Sequence, residues 1–229
     1  MKLGTSLLGA LAIALGSAAP PATADEDLPA LSAQWWQWAL SIPVASNPLL
    51  DPVNPGNPTA VNCMVGQRGP VWFLAGAFSG GVIRRTCSVP EGVPLFFPVI
   101  NAVNVNTPGA CGQNGNLNVR QLRALVAPFI DAATVVVAKL DNKPVDAIRR
   151  VRSEPFIVAL PTENLFVAPC GGDSPAGIYS PAVDDGYYVK INGLDKGVHT
   201  LEIRAKSGSF ELDVAYVLSV ISVSKEIEF

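Results

Sequence analysis

The sequence predicts an all-β fold, a β-sandwich or jelly roll with two short helices, stapled by disulfides. Three observations lead there. About eight short segments alternate apolar and polar residues between Gly-, Pro- and Asn-rich turns. Only two stretches carry helical periodicity, too few for a parallel βαβ sheet. Four cysteines, Cys63, Cys87, Cys111 and Cys170, lie in these strands and loops with no C-x-x-C spacing.

The chain opens on a basic Met1-Lys2, an apolar run from Leu7 to Leu15 and the small-x-small triplet Ala22-Thr23-Ala24. That is the pattern of a signal peptide over residues 1–24, cleaved near Ala24 and leaving Asp25 first. The alternative is a retained anchor, but the run is shorter than the roughly 20 residues that span a bilayer. No later stretch is long and apolar enough, so no transmembrane segment is expected in the mature chain. Residues 25–229 are expected to form one secreted β-sandwich domain, and the expected location is secreted or periplasmic.

A first helix is expected after Asp27, a candidate cap, with Pro29 in its first turn. Leu31, Trp35, Trp38 and Ile42 make one apolar stripe, and Pro43 ends it. Asn47 to Asn62, with four prolines, reads as an extended surface loop. Strands are expected over 70–78 and 82–89. A third, over 93–105, has Leu95, Phe97 and Val99 on one face and Phe96 and Ile100 on the other. Two apolar faces place it centrally, covered on both sides. Asn118 caps a second helix whose apolar face is Leu122, Leu125, Val126 and Phe129, limited by Pro128.

Thr134 to Leu140 is a β-branched strand turned by Asp141-Asn142, and Pro144 to Arg152 is expected to return beside it. Phe156 to Leu160 is a short strand. Pro161 to Pro181 reads as a long loop pinned at Cys170. The closing strands are the clearest. Tyr187, Val189 and Ile191 alternate, as do His199, Leu201 and Ile203. The last runs through Phe210, Leu212, Val214, Tyr216, Leu218 and Val220.

Of the three pairings that four cysteines allow, Cys63 with Cys87 and Cys111 with Cys170 is preferred. The first closes a local loop, and the second joins two Gly-rich loops. Charged residues are only 15% of the chain and the net charge is −3, one unit more negative without Lys2. Such a chain is a poor nucleic-acid binder, and none is expected as a partner. The tight basic cluster Arg149, Arg150 and Arg152 reads as a strand face paired with acids.

Two stretches carry a resemblance. Trp35-Trp36-Gln37-Trp38-Ala39-Leu40-Ser41-Ile42-Pro43 is followed by Asn62-Cys63-Met64-Val65-Gly66-Gln67-Arg68-Gly69-Pro70-Val71-Trp72-Phe73-Leu74-Ala75-Gly76. With the Asp185-Gly186-Tyr187-Tyr188 to Leu201 segment, they resemble a family of exported bacterial proteins with no established activity. The resemblance implies bacterial export and a β-rich domain, and transfers no functional residue.

Catalytic patterns are weak. Gly172-Asp173-Ser174-Pro175-Ala176 departs from a nucleophile elbow at its last residue, and Pro175 lacks the N–H that an oxyanion hole uses. Ala77-Phe78-Ser79-Gly80-Gly81 reads as a hairpin turn. The single histidine, His199, is expected to face inward as a satisfied core residue. Glu154, Glu163, Asp173, Asp184 and Asp185 are candidates for a paired-carboxylate hydrolase. Asp173, Asp184 and Asp185 are also candidate ligands for a structural calcium, the one cofactor considered.

Trp36 and Tyr188 are candidates for stacking on a sugar. Asn104 and Asn106, in the Asn-rich stretch from Asn101 to Asn116, are candidates for amide hydrogen bonds to a polar ligand. The first functional expectation is therefore a non-catalytic binding or surface-interaction protein, its ligand a carbohydrate or another envelope component. The alternative is an extracellular hydrolase using paired carboxylates, and a third reading is an assembly protein with an open strand edge.

Overall fold

A computed structural model describes residues 28–50, 59–60, 63–78, 80–172 and 174–222. Residues 1–27, which hold the expected signal peptide and Asp27, lie outside the described residues, as do Ser79, Asp173, most of the proline-rich loop and residues 223–229. In chain order the elements are α1 (Leu28–Ser41), β1 (Thr59–Ala60), β2 (Trp72–Phe73), β3 (Gly81–Pro90), β4 (Leu95–Val105) and α2 (Val119–Asp131). Then come β5 (Ala133–Leu140), β6 (Lys143–Pro144), β7 (Arg149–Arg152), β8 (Phe156–Leu160), β9 (Gly177–Ile191), β10 (Gly197–Ser207) and β11 (Phe210–Ile221). Short 3-10 turns at Val44–Ser46 and Pro48–Leu50 follow α1, the second inside the stretch from Asn47 where sequence suggested an extended loop.

The strands form a two-sheet sandwich. One sheet runs β1-β3-β11-β10-β5-β6, the other β2-β4-β9-β7, with β8 also pairing β9. Most pairs are antiparallel, but β1 with β3, β3 with β11 and β2 with β4 are parallel. Strand alternation builds the core between the sheets. Leu201, Ile203, Leu212, Val214, Leu218 and Val220 face Leu95, Phe97, Val99 and Val189.

β4 is central and covered on both faces, as its two apolar faces predict. Phe96 packs away from the sandwich against α1, while Leu95, Phe97 and Val99 pack inside it. Ile100 departs from the expected face. The pairing with β9 slips between Pro98 and Ile100, so alternation restarts and Ile100 joins Val99 in the inner core.

Helix α1 forms a third layer on the outer face of the second sheet. Its expected stripe is buried, but so are Trp36, Ala39 and Leu40, leaving Gln34, Gln37 and Ser41 outward. The two segments that carry the family resemblance pack on each other here. Trp38 Nε1 donates to Val65 O (2.8 Å), and its ring lies 5.6 Å from that of Phe73. Gln67 bridges Cys63 O and both backbone groups of Phe73. These contacts join the two motifs into one packed unit.

Several boundaries differ from expectation. The strand foreseen over 70–78 pairs only at Trp72–Phe73, because side chains replace the ladder beyond it. Trp35 Nε1 donates to Leu74 O, while Arg85 and the Tyr216 hydroxyl donate to Ala75 O. The segment foreseen as one strand over 144–152 is divided. β6 pairs β5 in the first sheet, and β7 crosses to β9 in the second. β9 begins at Gly177, inside the expected loop, because β8 gives its first residues a partner. On α2, capped by a reciprocal Asn118–Gln121 box, Leu122, Val126 and Ile130 are buried. Leu125 is 56% exposed. Both disulfides form as preferred, Cys63–Cys87 and Cys111–Cys170. Among the described residues no helix is long and apolar enough to cross a membrane.

Candidate functional site

The end of β4 runs into the Asn- and Gly-rich loop 106–117, and one buried amide organises that loop. Asn106 Oδ1 accepts from Gln113 Nε2 (2.7 Å) and Leu117 N (2.9 Å). Its Nδ2 donates to Ser180 O (3.1 Å) and Asn116 Oδ1 (3.2 Å). A single Asn thus satisfies four partners and fastens the loop to the start of β9. Cys111 takes a left-handed backbone (φ 53°) and joins Cys170 in the loop after β8. The two loops are thereby held as opposite walls.

Between these walls lies a groove of about 570 Å³. Asn104, Thr107, Gln113, Asn114 and Asn116 supply polar lining; Val103, Val105, Leu117, Leu125 and Phe166 supply apolar patches. Among the described residues that line it, none carries a charged side chain. Beside it is a chamber of about 290 Å³ walled by Trp35, Trp36, Phe78, Phe129, Phe166 and Phe210. Val103 and Phe166 line both spaces.

Behind the chamber stands a buried polar chain. Asn101, on the chamber wall, donates to the Tyr188 hydroxyl (3.0 Å), which donates to Asp184 Oδ2 (2.5 Å). Ser32 Oγ lies 3.0 Å from Asp184 Oδ1, and Ser153 Oγ accepts from Asp184 N (2.9 Å). Burial pushes the Asp184 carboxyl up to about 6, although hydrogen bonds from Tyr188, Ser153 and Ser32 work the other way. Burial, and then the nearby Asp184, push the Tyr188 phenol well above its ordinary value. Trp36 Nε1 makes no hydrogen bond of ordinary geometry, yet the indole acts on the Tyr188 hydroxyl in favour of its ionised form.

The predicted residues divide sharply. Asn104 lines the groove, and Asn106 builds it from behind. Trp36 is 4% exposed and Tyr188 1%, so neither is the open stacking platform the sequence suggested. Trp36 instead walls the chamber, and Tyr188 stacks on Phe96 (5.3 Å).

Asp184 and Asp185 do not converge on one ion. Neighbours in a strand point to opposite faces. Asp184 faces α1, while Asp185 takes a bidentate pair from Arg150 (2.9 and 2.8 Å) and a contact from Arg152 Nε (3.0 Å). Two guanidinium groups occupy the directions a cation would need, and hydrogen bonding to Asp185 raises the Arg150 pKa. Asp173 lies outside the described residues, and among those described no three His, Cys, Asp or Glu side chains gather as metal ligands. Glu154 and Glu163 are exposed, and neither lines the groove or the chamber.

Ser174 is buried, its hydroxyl donating to Asn164 Oδ1 (2.9 Å). His199 is satisfied as expected, but at a rim rather than in the core. Nδ1 meets Asp141 Oδ2 (2.8 Å), Nε2 meets Asp195 O (3.1 Å), and the side chain keeps 21% exposure.

Sequence reading missed Phe166, Gln113 and the aromatic chamber. Phe166 had one visible signal, an aromatic residue in a loop pinned by Cys170. The chamber had none, because its rings come from α1, α2 and three separate loops or strand ends. Neither the family models, nor the curated proteins, nor the solved structures include a match to this chain.

Proposed function

We propose that this is an exported, non-catalytic binding protein for a neutral ligand rich in hydroxyl or amide groups, a carbohydrate or another envelope component. One observation carries the reading: a groove of ligand size lined by uncharged amides, with no carboxylate or imidazole among the described residues that line it. Amides both donate and accept, which suits hydroxyls and acetamido groups. Apolar patches between them suit the faces of a sugar ring. A glycosidase would need two carboxylates facing one cleft. Here Asp185 is engaged by arginines, and Asp184 is sealed under α1.

The test is calorimetric titration of the oxidised mature protein with a panel of neutral oligosaccharides. Saturable binding without turnover is expected. Asn104→Ala should weaken it about fivefold to tenfold, the size of one lost hydrogen bond. Asp184→Asn should leave it unchanged. Hydrolysis of a bound sugar, or no saturable binding by any neutral oligosaccharide or alkyl glycoside, overturns the reading.

A further inference from the structure

The groove and the chamber share Val103 and Phe166, so they form two compartments of one depression with that pair at the boundary. Their chemistry differs in kind. The groove presents amides, whereas the chamber presents six aromatic rings. Its one side-chain amide, Asn101, already has its nitrogen engaged by Tyr188. None of the described residues lining either compartment carries a charged side chain. At about 290 Å³ the chamber is about twice the ~150 Å³ of an apolar cavity that takes up benzene. By the same scale it holds roughly ten carbons. A purely hydroxylated ligand would fill the groove and leave this space unused.

From this we infer that the ligand is amphipathic. A neutral hydroxyl- or amide-bearing head lies in the groove, and an apolar chain or ring passes Phe166 into the aromatic chamber. The inference rests on the binding reading above and adds the chemical class of the ligand's second half. It gives Phe166 a gating position and Asn104 a part in holding the head.

The experiment is titration of the oxidised mature protein with n-alkyl N-acetylglucosaminides from methyl to decyl, each below its micellar concentration, beside the neutral oligosaccharide panel. Affinity should rise about fourfold per methylene, the hydrophobic increment for one buried CH₂, and level off once the chamber is filled. Ala77 lines the chamber and not the groove, so Ala77→Phe, which fills the chamber, should flatten that rise while keeping the affinity of the methyl glycoside. Affinity independent of chain length, with the methyl glycoside or an oligosaccharide still binding, overturns the amphipathic ligand and leaves the binding reading standing. No binding by any glycoside or oligosaccharide overturns both.

A rise that survives Ala77→Phe places the tail elsewhere and overturns the inference. Should that variant fail to fold, the unmodified protein still decides through the neutral apolar fluorophore N-phenyl-1-naphthylamine. Displacement by the octyl but not the methyl glycoside supports the chamber as the tail site. A bound fluorophore that neither displaces overturns it.

Discussion

The residue that departs furthest from ordinary behaviour is Asp184. Its carboxyl is fully buried, with hydroxyls from Tyr188 and Ser32 against its oxygens. Its folded pKa, about 6, lies above the ordinary 3.8. Between those values the folded chain holds a proton that the unfolded chain has released, so stability falls as pH rises through that window. The gain on acidification is on the order of 3 kcal/mol and is complete below pH ~4. Denaturant unfolding at pH 4.5 and 7.5 should show this gain in the natural chain, and Asp184→Asn should remove it. His199 acts over a different window. Its hydrogen bond to Asp141 raises its pKa, so its contribution is complete below about 6.5 and fades above that. A His199→Gln chain should therefore lose the part of the pH dependence that begins above about 6.5.

At the scale of the element, β9 organises the molecule. It pairs with β4, β7 and β8 along its length. Gly186 lies where it crosses the irregular part of β4. A Cβ there would stand 2.5 Å from Asn101 Cβ and 2.8 Å from Ile100 O. Gly186→Ala should cost about 1–3 kcal/mol of stability, read by chemical denaturation, because both strands must move apart. Such close approaches leave no sign in a single sequence. What was legible was local: the alternation in β10 and β11, the capping residue Asn118, the turn at Asp141-Asn142 and the two-sided apolar pattern of β4. The pairing of strands distant in sequence was not. Nor was the crossing of the chain between sheets after β6, since Lys143 to Arg152 reads equally well as one strand. For the groove, the Asn-rich loop stood out by composition. Which amide faces inward and which builds the wall depends on the fastening of Asn106 to Ser180, which composition cannot express.

The described residues form three main layers bound by two large cores, with a small third cluster of Leu122, Val126 and Val183 beneath α2. Phe96 and Tyr188 belong to the core beneath α1, while Phe97 and Val189 belong to the core between the sheets. The same two strands, β4 and β9, thus serve both. Loss of one core strips a wall from the other, so the layers should unfold together. Tryptophan fluorescence, dominated by the three rings of α1, and far-UV circular dichroism, dominated by strands, should give coincident transitions. The bridges tie the same body at two places. By loop length they should stabilise it by about 3 kcal/mol across 24 residues for Cys63–Cys87 and about 4 kcal/mol across 59 for Cys111–Cys170. Their positions have unequal consequences. Cys63–Cys87 lies among packed side chains of the core, whereas Cys111–Cys170 joins two loops that line the groove. A chain kept among reducing thiols should therefore assemble its layers and still present a blank face. If the groove is a binding site as proposed, oxidation of Cys111 with Cys170 is the step that shapes it, and capture of a guest would depend on surroundings that permit that step.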